Sequence, residues 1–329
     1  MRKTELIAEA KELGVKGYSK MTKAELEIAI ENAKENNNMN REAEMNKKLD
    51  EIVGKKACEI IESQTGYKAE FREIEKNGVK KPAILVHTDE NIAATIYANF
   101  NATPESIADE VMNALKNSPK TSKELGFDID EMASLDYVKD NVYPLIIGNK
   151  PNNIAYTEFL DMYVVYKVKL HGNDNTDYVT QYSVTNDLLE RLGITVEELH
   201  QIAIQNIDEN DFEYPTIEET LRAMMDGNEC PIPLPEENKI LVASNKTRHF
   251  GSNIILFPNV LNKIMQKLGV ASMYILPSSI HEILCVKPEG DEWEKERLDQ
   301  MVHEVNTNEV APEEIMGHHS YFWNGKVLA

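Results

Sequence analysis

The sequence predicts an α+β protein, with a small N-terminal helix-extended loop-helix head followed by a mostly antiparallel α+β body. Three observations predict it. Residues 4–33 carry apolar positions at helical spacing on both sides of a short basic elbow. From Tyr67 the apolar period switches to two around Asn77-Gly78, a strong hairpin signal. Beyond residue 240, short strand-like runs are joined by hairpin-length loops as often as by helices, which fits a doubly wound parallel sheet less well.

In the head, a first helix is expected from Thr4, whose hydroxyl would cap it, through Leu6, Ile7, Ala10 and Leu13 to a stop at Gly14. Thr22-Lys23-Ala24-Glu25 spells a capping box for a second helix carrying Leu26, Ala29, Ile30 and Ala33. Two helices this short are marginal alone, so they must pack on each other. Residues 36–48 are polar and read as a solvated linker, leaving the head at residues 1–35. A helical period then resumes with Leu49, Ile52, Val53, Cys58, Ile60 and Ile61.

The first α+β lobe, residues 49–150, continues with strands around Phe71–Ile74, Ala83–Val86 and Ala94–Ala98. Thr103-Pro104-Glu105 opens a helix running to about Lys116, with a cap and a proline at the first helical position. Val142–Ile147 closes the lobe as an apolar segment.

The second lobe, residues 151–329, begins with Phe159–Val168, β-branched and aromatic enough for one buried strand. Tyr178–Val184 pairs with it across the turn-rich Gly172-Asn173-Asp174-Asn175. Helices follow at Asn186–Leu192, after Thr195 and after Thr216, the last two opened by capping boxes. Past the proline-rich Cys230–Pro235, strands are expected at Ile240–Ala243, Ile254–Phe257, Met273–Leu276 and Glu282–Val286, with helices at Val260–Leu268 and Trp293–Val305.

Charge is unevenly placed along the 329 residues. The total is -21, yet residues 1–56 hold 12 Lys/Arg against 11 Asp/Glu, and the remainder holds 23 against 45. A surface this acidic favours solubility and repels phosphates and anionic lipid. Cys58, Cys230 and Cys285 are far apart and form no C-x-x-C pair, so neither a disulfide framework nor a zinc knuckle is expected. No apolar run approaches a membrane span, and Glu5, Glu9, Lys11 and Glu12 interrupt any secretory h-region. The expectation is a cytoplasmic protein of reduced thiols with no membrane partner.

Glu9-Ala10-Lys11-Glu12-Leu13-Gly14-Val15-Lys16-Gly17-Tyr18-Ser19-Lys20-Met21-Thr22-Lys23-Ala24-Glu25-Leu26 resembles the Rho termination factor N-terminal-like helix-extended loop-helix module, a relative of SAP domains. That resemblance implies contact with DNA or RNA, or service as a protein tether. The second helix departs from it by turning acidic at Glu25, Glu27, Glu31 and Glu35. The candidate contact residues are Lys3, Lys16, Tyr18, Lys20 and Lys23, with Lys11 near; the alternative is that these lysines only solubilise a helical pair.

A second resemblance spans most of residues 50–329. Its motifs are Asn91-Ile92 with Thr95-Ile96-Tyr97, Phe159-Leu160-Asp161-Met162, Val184–Leu189 with Gly193-Ile194-Thr195, Phe257-Pro258 and Leu276-Pro277-Ser278-Ser279-Ile280-His281-Glu282. Together they are similar to an uncharacterised domain family of Gram-positive gut bacteria and their mobile elements, phage included. This implies no activity.

Catalytic signals are sparse. Ser279 and His281 would share one face of an extended segment, the pattern of a nucleophile beside its base, although no G-x-S-x-G elbow accompanies them. A turn whose polar side chains bond the backbone explains the same residues. His318-His319 near Glu313 and Glu314 lacks metal-ligand spacing, and no phosphate loop precedes Gly54-Lys55 or Gly325-Lys326. No cofactor and no metal are expected. Asp161 and Lys167 fall on one predicted strand without a second acidic strand beside it, which leaves a nuclease pairing incomplete.

The leading expectation is a non-enzymatic accessory or regulatory protein that docks on DNA, RNA or a protein through its head. One alternative is an acidic body that mimics nucleic acid and occupies the basic groove of a protein partner, as an anti-defence or regulatory factor would. The other is a hydrolase using Ser279 and His281.

Overall fold

The computed structural model describes residues 2–89, 92–116, 128–170, 181–224, 240–290 and 294–329. Asn91, the turn at Gly172-Asn173-Asp174-Asn175, Tyr178, the run from Cys230 to Pro235 and Trp293 lie outside them. The chain forms two compact units: Met1–Glu73 with Pro82–Lys120, and Ile74–Lys81 with Thr121–Ala329. Helices and antiparallel sheets make it an α+β protein, as expected.

The first unit starts with helix α1 (Lys3–Glu12), a single 3-10 turn (Tyr18–Lys20) and the long helix α2 (Lys23–Thr65). Thr4 does not cap α1. Arg2 takes that position, and the Glu5 carboxylate accepts from its backbone N–H at 2.8 Å. At α2 the capping box forms as expected: Thr22 Oγ1 accepts from Glu25 N at 3.3 Å, and Glu25 Oε2 accepts from Thr22 N at 2.6 Å.

The expectation of a linker at residues 36–48 is corrected by α2, which runs through that segment without interruption. Asn36, Asn37 and Asn38 are poor helix formers, but no glycine or proline breaks the run, and the Arg, Glu, Ala, Met and Lys residues that follow are good ones. Helix α2 ends only at Gly66, in the left-handed conformation (φ 74°).

Strands β1 (Lys68–Lys76), β2 (Val79–Asp89) and β3 (Ile92–Ile96) form a three-stranded sheet in that order. Asn77 and Gly78 both have positive φ (51° and 80°), as a tight two-residue hairpin requires. Helix α3 (Pro104–Lys116) follows the sheet. Its Ile107, Val111 and Leu115 close a core with Ala57 and Ile61 of α2 and with Ile84 and Val86 of β2. Leu49 and Ile52, in the helical period expected there, are exposed.

The second unit has two sheets around one core. After helices α4 (Ile129–Met132) and α5 (Leu135–Asn141) come β4 (Val142–Ile147), β5 (Tyr156–Phe159), β6 (Met162–Lys169) and β7 (Gln181–Ser183). β6 pairs antiparallel with β4, β5 and β7. The single strand expected over Phe159–Val168 is therefore two, turned at Leu160-Asp161, where Leu160 takes φ 56°.

Helices α6 (Asn186–Leu192), α7 (Val196–Gln205) and α8 (Ile217–Met224) follow, with β8 (Phe212–Glu213) between the last two. The second sheet adds β9 (Ile240–Asn245), β10 (Met273–Ser279), β11 (Glu282–Val286) and β12 (Tyr321–Trp323), in the order β12-β10-β11-β9-β8. Helices α9 (Pro258–Leu268) and α10 (Glu294–Asn308) complete it.

One more correction concerns Ile254–Phe257. Gly251–Leu256 is a 3-10 segment, not a strand, leading directly into Pro258 at the start of α9. Its Ile254 and Ile255 are buried, so an apolar run of strand length fills the core in a helical conformation.

Candidate nucleic-acid interface and polar sites of the body

The head is built around Leu6, Ala10, Leu26 and Ile30, with Val15, Tyr18 and Met21 packed against them. Lys3, Lys11, Lys16, Lys20 and Lys23 are exposed around this small core, whereas Tyr18 is half-buried and spends its ring on packing. Lys3 lies close enough to the start of α2 to help lower the Glu25 carboxyl below its ordinary range, after the hydrogen bonds from Thr22.

Acidic groups intervene among these cations. Lys23 Nζ is 3.7 Å from Glu27, and Lys34 Nζ is 2.5 Å from Glu9. At the start of α2 the Glu25 carboxylate already meets one free backbone N–H, so a phosphate approaching there meets a competing anion. Lys16 and Lys20, on the elbow between the helices, remain the clearest cationic pair. Exposed lysines of this kind suit phosphate contacts.

In the body, Ser279 ends β10 and pairs with Glu282 at the start of β11, and His281 is the second residue of the two-residue turn between them. The Ser279 hydroxyl oxygen accepts from His281 N at 3.1 Å, a serine turn to the backbone. His281 Nδ1 accepts from Phe250 N at 3.2 Å, which puts the ring proton of the neutral imidazole on Nε2, 3.9 Å from Glu314 Oε1. Both functional groups thus have partners other than each other.

Sequence reasoning missed what surrounds this turn. Phe250 stacks on His281 with ring centroids 5.2 Å apart, and His249 lies 3.8 Å from Phe250 and 5.2 Å from His281. Arg248 and Phe250 both take positive φ (52° and 58°), which is costly for side chains of this size. They do so where Gly251 approaches so closely that an added Cβ would stand 2.3 Å from Ser244 Oγ. Burial, then His281, depresses His249, so its imidazole is held toward the neutral form.

A second polar group joins residues 160 positions apart. Tyr321 donates its hydroxyl to Asp161 Oδ1 at 2.8 Å, and His319 Nε2 is 3.2 Å from Asp161 Oδ2. No spacing rule reveals such a meeting, because β12 and the β5–β6 turn are brought together only by the tertiary fold. Lys167, the other half of the nuclease expectation, donates instead to Ser183 Oγ at 2.7 Å. Burial, and then Lys76, push its ammonium down to about 8.

Among the described residues no three His, Cys, Asp or Glu side chains are grouped to hold a metal ion, and no helix is long and apolar enough to cross a membrane. In the first unit, a groove of about 430 Å³ between α2 and the sheet is lined by Ala43, Asp50, Phe71, Arg72 and Pro82, with the Lys47–Glu73 ion pair (2.9 Å) also on its wall.

Comparison with known proteins assigns the two parts of the sequence separately. Residues 1–38 match the Rho termination factor, N-terminal domain. No curated protein and no solved structure matches the chain. Residues 44–325, the body with the polar groups described above, match a family model over most of the sequence, and the chain belongs to that family of unknown function, DUF5688.

Proposed function

We propose that the protein is a non-enzymatic accessory or regulatory factor of the cytoplasm that docks on DNA or RNA through a head formed by residues 1–35. The observation that carries this reading is the match of residues 1–38 to the Rho termination factor N-terminal domain. The exposed Lys3, Lys16, Lys20 and Lys23 supply the phosphate contacts. Because Glu25 and Glu27 share that surface and the chain carries a net charge of -21, the docking is weak and strongly salt-dependent. The body supplies the specific role by binding a further partner.

The uneven charge favours one second reading. With 23 basic against 45 acidic residues after position 56, the body presents the charge of a nucleic-acid mimic to a protein with a basic groove.

Fluorescence anisotropy of labelled single- and double-stranded oligonucleotides, titrated with the full chain at low salt, separates the two. Binding lost in Lys16→Gln/Lys20→Gln/Lys23→Gln supports the docking reading. Absence of binding by the intact chain, or full binding by the variant, overturns it. Mimicry is supported instead if a basic nucleic-acid-binding protein is retained by the chain and displaced by DNA.

A further inference from the structure

Helix α2 has two apolar faces, whereas a helix on the surface of a globular unit ordinarily has one. Ala57, Cys58 and Ile61 point into the core of the first unit. On another face Met45, Leu49 and Ile52 are 66%, 55% and 55% exposed. Their spacing of four and then three residues aligns them as one stripe. Single exposed apolar residues are ordinary; three aligned on consecutive turns of a helix form a contact surface.

The charges along one edge of the stripe are of one sign, while the exposed Glu42 and Glu59 lie at its two ends. Arg41, Lys48 and Lys55 recur every seven residues along one edge, all exposed, and Lys56 continues the stripe at its C-terminal end. Asn46 and Val53 border the other edge. Lys55 has part of its charge met within the helix, by Glu51 at 2.6 Å.

We propose that Met45, Leu49 and Ile52 form a docking surface for an amphipathic helix of a partner protein whose apolar edge is flanked by carboxylates. The apolar stripe takes the partner's leucine-type side chains, and the Arg41–Lys48–Lys55 ridge pairs with its acidic flank. A second copy of this chain is a poor occupant. Packed antiparallel, it would set Lys48 beside Lys55 of the other copy; packed parallel, it would stack Glu42 on Glu42 and Lys56 on Lys56. An anionic lipid surface would meet the repulsion of a chain of charge -21. This surface is independent of the nucleic-acid contact proposed for the head.

The test uses the full chain and two labelled peptides of about 20 residues, long enough for a stable amphipathic helix. One has Leu at the a and d positions and Glu at e and g; the other has Lys in place of Glu. The Glu peptide is expected to bind at least about tenfold more tightly than the Lys peptide, and Leu49→Gln/Ile52→Gln to weaken it at least about tenfold. The same variant should keep the wild-type thermal transition, because neither side chain is in the core. Failure of the Glu peptide to bind, equal binding of both peptides, or undiminished binding by the variant overturns the proposal. So does a wild-type dimer that Leu49→Gln/Ile52→Gln converts to monomer, which assigns the face to a second copy. Loss in that variant of cosedimentation with phosphatidylglycerol vesicles assigns it to lipid and overturns the proposal equally.

Discussion

Gly54 and Phe71 occupy one space: a Cβ on Gly54 would stand 2.2 Å from Phe71 Cδ2. A glycine in the interior of a 43-residue helix is therefore where the sheet's aromatic side chain lies against the helix backbone. Phe71 continues from that contact to an edge-on packing with Phe100, ring centroids 5.2 Å apart.

Gly54→Ala therefore tests packing against propensity. Alanine improves the intrinsic helix tendency by about 1 kcal/mol, while the overlap with the half-buried ring costs about 1–3 kcal/mol. The expected outcome is a lower stability in urea unfolding of the full chain. Phe71→Leu should recover part of the loss in the double variant, giving a coupling energy between the two sites.

Glu313 makes a pH-dependent contribution. Its side chain is 4% exposed, with Lys81 Nζ 2.5 Å and Lys76 Nζ 3.5 Å from Oε1. Burial alone would raise its pKa, but the lysine contacts outweigh burial and hold it below the ordinary glutamate range. A depressed carboxyl stabilises the fold above its unfolded value of about 4.3, and that stability is lost as the pH falls through the lower folded value. Glu313→Gln should cost about 1–3 kcal/mol at neutral pH, less than breaking a fully buried pair because both lysines are partly exposed. Thermal unfolding should show the wild-type advantage shrinking in acid.

Leu160 is the residue at which sequence periodicity misled. Phe159–Val168 reads as one apolar run because the turn at Leu160-Asp161 carries no glycine or asparagine, and the strain is borne by a leucine at φ 56°. Leu160→Gly should raise the thermal midpoint, by about 0.5–1 kcal/mol of relieved strain after the glycine's own entropy cost. Leu160 is 48% exposed, so little packing is lost.

The other readable and unreadable elements divide on the same physical line. Thr22-Glu25, Thr195-Glu198, Thr216-Glu219 and Asn77-Gly78 were legible because each motif completes its own hydrogen bonds or turn within a few residues. The 3-10 segment at Gly251–Leu256, strand β12, and the meeting of Asp161 with His319 and Tyr321 were not, because tertiary contacts decide them. The head's lysines were legible as a candidate surface, whereas the His249–Phe250–His281 stack has no signature in spacing.

Cys58 and Cys285 should be inert in the folded chain. Both are buried free thiols, pushed up to about 11 and about 12, by burial first in each case. Neither should be modified by a disulfide reagent at pH 8 over a time in which both react fully in denaturant. Rapid native labelling of either would show that its surroundings open.

The most direct test of the docking function is the salt dependence of nucleic-acid binding by the full chain. If Lys16, Lys20 and Lys23 contact phosphates, the slope of log K against log salt should become shallower by about two to three in the triple glutamine variant, at about 0.7–0.9 per lost contact. An unchanged slope in the variant, or a wild-type affinity that does not respond to salt, would contradict the assignment of these lysines as the nucleic-acid contact.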